Sequence, residues 1–156
     1  MSWHISDTHF FHQNVIEYSS RPWYTAQAMN QDMIRRWNEV IEPDTVIYHH
    51  GDVTFSNKEK AKSVIEKLNG YKILILGNHD RRSKGWFKDV GFEEVHKAPI
   101  LLNKHFLTHA PMDPALPYEY NIHGHVHDRD TGLNPLRYIN VSVEKTNYYP
   151  VWIDTE

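Results

Sequence analysis

Five short blocks carry the residues best able to do chemistry: Asp7-Thr8-His9, Gly51-Asp52, Gly77-Asn78-His79-Asp80, Thr108-His109 and Gly124-His125-Val126-His127. Their donors are carboxylate oxygen, amide oxygen and imidazole nitrogen. Thiolate is excluded, because the 156 residues include no cysteine. Asp7 and His9 are separated by one residue, as are His125 and His127, so a kinked loop can aim both members of a pair at one ion. Two divalent ions about 3.5–4 Å apart need an anion between them, since bare cations at that distance repel strongly. Asp52, alone at the end of an apolar run, is the candidate for that shared position. The oxygen and nitrogen donors suit manganese above all, or iron, nickel, cobalt or zinc in expanded coordination, better than a structural tetrahedral zinc site. Two carboxylates against two divalent cations leave the cluster positive. It would draw in a phosphate even though the whole chain carries a net charge of −3 and a pI near 6.4. The chemistry implied is hydrolysis at phosphorus.

Those blocks need strands to position them, and short apolar runs precede most of them. Ser2–Ser6, Thr45–His49 and Tyr71–Leu76 read as strands whose following loops hold ligands, the usual binding edge of an α/β sheet. Between them, Thr25–Ile41 reads as a helix, with Thr25 as cap and Met29, Met33, Trp37 and Val40 at helical spacing. Ser56-Asn57-Lys58-Glu59 has the form of a capping box opening a second helix, which buries Ala61, Val64, Ile65 and Leu68 and stops at Asn69-Gly70. Beyond residue 91 the texture changes to short strands: 92–96, 99–102, 105–108, 120–123, 137–142 and 149–153. A helix-rich first half and a strand-rich second half imply an α/β fold of two packed sheets with helices outside, as one domain over residues 1–156.

The five blocks, in this order and over essentially the whole chain, resemble the calcineurin-like metallophosphoesterase family. The length and the run Asp7-Thr8-His9-Phe10-Phe11-His12-Gln13-Asn14 are similar to its small, capless bacterial and phage members. The resemblance implies two mixed sheets in an αββα sandwich and a divided ligand set. One ion takes Asp7, His9, Asp52 and His127, and the other takes Asp52, Asn78, His109 and His125. It further implies a bridging hydroxide aimed at phosphorus, with His79 protonating the leaving group or stabilising the transition state. One departure stands out. Many relatives carry an aspartate three residues after the Gly-Asp aspartate to orient that histidine, and here the position is Phe55. Asp80 or a backbone carbonyl is left to take over the orienting role.

Around the metal ligands, His12 and Asn14 either contact the substrate phosphate or start a helix. Arg21, before Pro22, suits phosphate recognition or a surface ion pair equally. The aromatics Phe10, Phe11, Trp23 and Tyr24 are more often core than a base-stacking wall, and His49, His50 and His123 could support the ligands from behind.

No cap or specificity domain fits in this length, so the expected cleft is open and its substrate a small phosphorylated or nucleotide-like diester. The motifs accommodate a phosphomonoesterase equally well. A metal-binding scaffold without catalysis is disfavoured because every expected ligand and His79 are present. Lysine and arginine are scattered among acids rather than gathered on one face, which argues against extended duplex nucleic acid as a partner. No apolar stretch reaches the roughly 18 residues of a membrane span, and the N-terminal residues lack a signal pattern. With no cysteine, a cytoplasmic location is the expectation.

Overall fold

The computed structural model describes residues 1–114 and 117–156. Two mixed sheets stack on one another, flanked by helices. In the first sheet β1 (Ser2–Ile5), β2 (Val46–His49), β3 (Tyr71–Ile75) and β4 (Glu94–His96) run parallel, and β9 (Val151–Ile153) closes the edge antiparallel to β1, giving the order β4-β3-β2-β1-β9. The second sheet has the order β5-β6-β7-β8. There β6 (His105–Leu107), β7 (Tyr120–His123) and β8 (Tyr138–Asn140) are parallel, and β5 (Ile100–Leu102) is antiparallel to β6.

The apolar runs dictate this layering. Ile73-Leu74-Ile75 of β3 is buried on both faces, as a central parallel strand must be. Leu74 packs toward the helices, in one cluster with Ile5 and Ile47. That cluster takes Met29, Met33 and Trp37 from α2 (Ala26–Val40), Ala61, Val64 and Ile65 from α3 (Lys58–Ile65), and Phe87 and Val90 from α4 (Lys84–Val90). Ile75 faces the other way, into an inter-sheet core with Leu107, Ile122 and Val141. Parallel strands deliver all their C-termini to one edge. Asp7, Asp52 and Asn78 therefore emerge from β1, β2 and β3 beside His109 from β6 and His125 and His127 from β7.

Thr25 caps α2 as expected, its side chain accepting from the Ala28 N–H at 3.1 Å. The cap of α3 is shifted by one residue. Asn57, not Ser56, accepts from the Lys60 N–H, because the Ser56 hydroxyl is engaged with Thr54. That helix also ends at Ile65, before the expected stop, although Gly70 does adopt the left-handed φ of +108°. α1 (Gln13–Tyr18) begins directly after His12 and takes in Asn14, the helix-start reading of those two residues, whereas nothing in the sequence marks α4, whose cap is Ser83. Each has under two and a half turns, too short for an apolar period to show. The last strand returns to the first sheet, so the two halves of the chain do not map onto the two sheets.

Candidate metal centre

The candidate ligands sit on backbone held in an uncommon conformation. Asp7, His9, Asp52, His125 and His127 all have positive φ, between 50° and 70°, which non-glycine residues adopt at a cost of roughly 1–3 kcal/mol each. Such left-handed turns make the chain double back, so Asp7 and His9 face the same point with Thr8 directed inward. The Thr8 hydroxyl donates to the Val53 carbonyl and accepts from His49 Nε2, whose Nδ1 accepts the Gly51 N–H. Gly124 is required by closeness: a Cβ there would lie 2.0 Å from Ser6 Oγ and 2.3 Å from Asp7 Oδ2.

Each carboxylate is anchored by one oxygen and offers the other. Asp7 Oδ2 accepts from the Ser6 hydroxyl at 2.6 Å and the His125 N–H at 2.8 Å, while Oδ1 is buried without a partner. Asp52 Oδ1 accepts the His79 N–H at 2.9 Å, and Oδ2 lies 3.7 Å from His9 Nε2 and 3.4 Å from His109 Nε2. His9 Nε2 is likewise buried and unpartnered. On one side Asp7 Oδ1 is 3.8 Å from His9 Nε2 and 3.6 Å from His127 Nε2. On the other, His109 Nε2 and His125 Nδ1 lie 2.8 Å and 3.0 Å from Asn78 Oδ1 and 3.1 Å from each other. Ligands about 2.1 Å from an ion and set at right angles are about 3.0 Å apart, which the Asn78, His109 and His125 spacings match. The 3.4–3.8 Å spacings around Asp7 and Asp52 correspond to wider angles, within the about 4.2 Å that two such ligands can span. Two clusters result, Asp7-His9-His127 and Asp52-His109-His125, with Asp52 Oδ2 between them.

The donors fit two divalent ions. The orphaned buried atoms Asp7 Oδ1 and His9 Nε2 would each cost folding energy without a cation to satisfy them. With no ion bound, burial opposes charge on His109, but the Asp52 and Asp7 carboxylates prevail and raise its pKa to about 9. Burial equally opposes charge on Asp7 and Asp52, and the facing histidines nonetheless hold both carboxylates below the usual range.

A second layer fixes the imidazoles. His109 Nδ1 donates to the His50 carbonyl at 2.6 Å, which leaves Nε2 as its ligand atom. His127 Nδ1 donates to Glu144 Oε1 at 2.7 Å, with the same result. Glu144 was not anticipated from sequence. It stands two residues past Ser142 in a single 3-10 turn, Val143–Lys145, and nothing in its spacing marks it as a partner of His127. Arg21 holds Glu144 in turn, donating from Nε at 2.9 Å and from one terminal nitrogen at 2.6 Å, and also donates to the Asp7 and Thr8 carbonyls at 2.7 Å. Its side chain is fully buried. Arg21 is therefore neither a phosphate contact nor a surface ion pair; its donors are spent bracing the first ligand loop. Burial works against charge on Glu144, yet the His127 hydrogen bond and the Arg21 guanidinium keep its pKa below the ordinary value.

Asp80 also differs from expectation. It is buried and accepts the N–H groups of Asp52, Val53 and Gly77, clamping two ligand loops together, so it is not turned to orient His79. Burial raises its pKa to about 6. Among the described residues no carboxylate or carbonyl pairs with the exposed His79 ring. Its neighbours are the Phe55 ring, edge-on at 5.8 Å, and the His9 ring at 5.9 Å. His12 does line the site: it precedes α1, stacks on Phe55 at 4.1 Å and places Nδ1 3.2 Å from His9 Nδ1. Asn14 is on the exposed face of α1 and makes no side-chain hydrogen bond among the described residues. Of the aromatics near the first block, Phe10 is core, Trp23 packs edge-on against Tyr148, and Tyr24 is almost fully exposed.

The model of the calcineurin-like phosphoesterase family matches residues 2–155. The chain belongs to that family. An uncharacterized protein of Methanocaldococcus jannaschii is 37% identical over 160 residues, covering 96% of this chain and 85% of the other. A crystal structure of a protein of unknown function from Aquifex aeolicus superposes with a TM-score of 0.77 at 29% identity, covering 97% of this chain and 94% of that one. Membership accounts for the two mixed sheets and for both histidine–aspartate clusters, and it makes this phosphoesterase a metal-dependent phosphohydrolase. Among the described residues, no helix is long and apolar enough to cross a membrane.

Proposed function

We propose that this phosphoesterase hydrolyses phosphodiesters of small or nucleotide-like substrates, with two manganese ions as the favoured metals. One observation carries the diester assignment: clefts flank the metal centre on both sides. One, of about 200 Å³, is lined by His79, Thr54, Phe55 and Trp86, and the other, of about 260 Å³, by His127, Tyr18 and Arg129. The His9 ring neighbours a lining residue of each, 5.9 Å from the His79 ring and 5.3 Å from that of His127. A phosphorus held there can keep a substituent on each side, which a monoester would leave half unused.

When bound, the two ions supply Lewis acidity toward the phosphoryl oxygens and lower the pKa of the attacking water. The chain's own residues do the rest. Asp7, His9, Asp52 and His127 would hold one ion, and Asp52, Asn78, His109 and His125 the other. His79 lies on the exposed rim, where its imidazole can give a proton to the departing oxygen as the phosphorus–oxygen bond breaks. Phe55 and His12 wall that side and restrict where the His79 ring can turn, in place of an orienting carboxylate.

The test compares a bis-aryl phosphodiester with an aryl phosphomonoester, using chelator-stripped protein resupplied with manganese, nickel or zinc. The diester should be preferred. His79→Ala should keep both metals and lose turnover, most for alkyl leaving groups that need protonation. Preference for the monoester would replace the diester reading with a phosphomonoesterase. Equal losses across good and poor leaving groups would remove the acid role from His79.

A further inference from the structure

The chain's arginines divide into two groups. Arg21, Arg35, Arg36 and Arg137 are each paired with a carboxylate, and Arg129 donates to the Val126 carbonyl. Arg81 and Arg82 directly follow the His79-Asp80 block, and among the described residues neither forms an ion pair or a side-chain hydrogen bond. Both line the cleft beside His79, together with Phe55, Ser56 and Trp86. Arg82 lies over the Trp86 ring at 5.5 Å from its centroid. That contact holds the guanidinium at the rim without consuming its N–H groups. At about 200 Å³ the cleft is smaller than the roughly 300 Å³ at which pockets for whole drug-sized ligands begin, so it receives one part of a substrate.

From these residues we infer a leaving-group subsite for a nucleotide, a ring carrying its own phosphate beyond the scissile one. This rests on the phosphodiesterase reading above and names its substrate class. Half-exposed Phe55 and partly exposed Trp86 offer faces for a planar base. The unpaired guanidiniums of Arg81 and Arg82 offer forks for a terminal phosphate. Proximity to His79 makes this the side on which the departing oxygen is protonated. Water gives up a proton to solvent as its oxygen bonds to phosphorus, and the bond from phosphorus to the leaving nucleotide's oxygen breaks. That departing oxygen takes a proton from His79, which regains one from solvent.

The test measures kcat/KM for two dinucleotides, pApAp and ApA, with the manganese-loaded enzyme. In pApAp either half carries a terminal phosphate, so the comparison holds whichever half departs. Wild-type protein should favour pApAp by about tenfold or more, the scale of a charge-assisted contact. The preference should appear in KM more than in kcat and shrink at high salt. In the R81Q/R82Q variant, shown to retain two metals, the ratio should fall toward one. A wild-type ratio near one, or a preference surviving in the variant, would overturn the subsite. So would cleavage of the bis-aryl diester with neither dinucleotide cut, which leaves the phosphodiesterase reading standing. Failure to cleave any diester, with a monoester hydrolysed, would remove that reading and the subsite with it.

Discussion

Glu144→Gln should loosen one metal and leave the other in place. Glu144 Oε1 accepts three hydrogen bonds, one from His127 Nδ1 at 2.7 Å and two from Arg21 at 2.6 and 2.9 Å, in a spot where its side chain is 3% exposed. The amide keeps the shape and removes the charge. Two consequences follow. First, His127 Nδ1 keeps an oxygen acceptor but loses the carboxylate charge that strengthens Nε2 as a donor, and outer-layer losses of this kind weaken metal binding about 10- to 100-fold. The ion held by Asp7, His9, Asp52 and His127 should weaken by that factor, about 1.4–2.7 kcal/mol, while the ion on Asn78, His109 and His125 changes little. Second, the Arg21 charge is left buried without a counter-ion, which costs about 3–5 kcal/mol. A chain of this size loses roughly 2–4 °C of Tm per kcal/mol, so the metal-free variant should melt at least about 6 °C lower. Calorimetric titration of stripped protein reads the first effect and a thermal melt with chelator the second. Equal weakening of both ions, or affinities unchanged in both, would refute the proposed linkage from Glu144 through His127 to one metal.

Two further outcomes follow from the buried network. His4, His49 and His50 form neutral hydrogen-bonded chains, and burial lowers His49 to about 3 and His50 to about 4, below an unfolded value near 6.5. Groups with depressed folded pKa values of this kind stabilise the fold above pH 6.5 and lose that contribution as the pH falls. At pH 5, His49 and His50 should together cost about 4 kcal/mol. Asp80, raised to about 6, gives back about 1 kcal/mol, and His109, raised to about 9, gives back nearly another as its contribution completes below pH 6.5. Chemical denaturation of chelated protein should therefore show a net loss of about 2 kcal/mol from pH 7 to 5, and a flat profile would contradict the neutral assignment. Gly124→Ala should displace Ser6 and Asp7, lowering metal affinity and Tm together; normal metal binding would show that the loop yields at no cost.

The residues of the candidate metal centre were legible because their chemistry is carried by residue type and by position after apolar runs. Asp7, His9, Asp52, Asn78, His109, His125 and His127 come together as those runs predicted. What sequence concealed were partnerships between distant loops. Arg21 and Glu144 lie 123 residues apart, and nothing local distinguishes a buried guanidinium from one that meets phosphate. Asp80 misled for a similar reason: adjacency to His79 suggested an orienting role, but its carboxylate turns back to three backbone N–H groups. The short α4 escaped because two turns carry too little periodicity, and α1 showed only as one of two readings of His12 and Asn14, whereas α2, with fifteen residues, was plain.

Metal stoichiometry of the wild type beside Asp52→Asn tests the central claim most directly. Asp52 Oδ2 faces both clusters, so removing its charge should weaken both ions. Elemental analysis after dialysis against dilute manganese should find two ions per wild-type chain and fewer than one per variant chain, with hydrolysis lost in parallel. A variant that keeps two ions and full activity would contradict the shared-carboxylate centre.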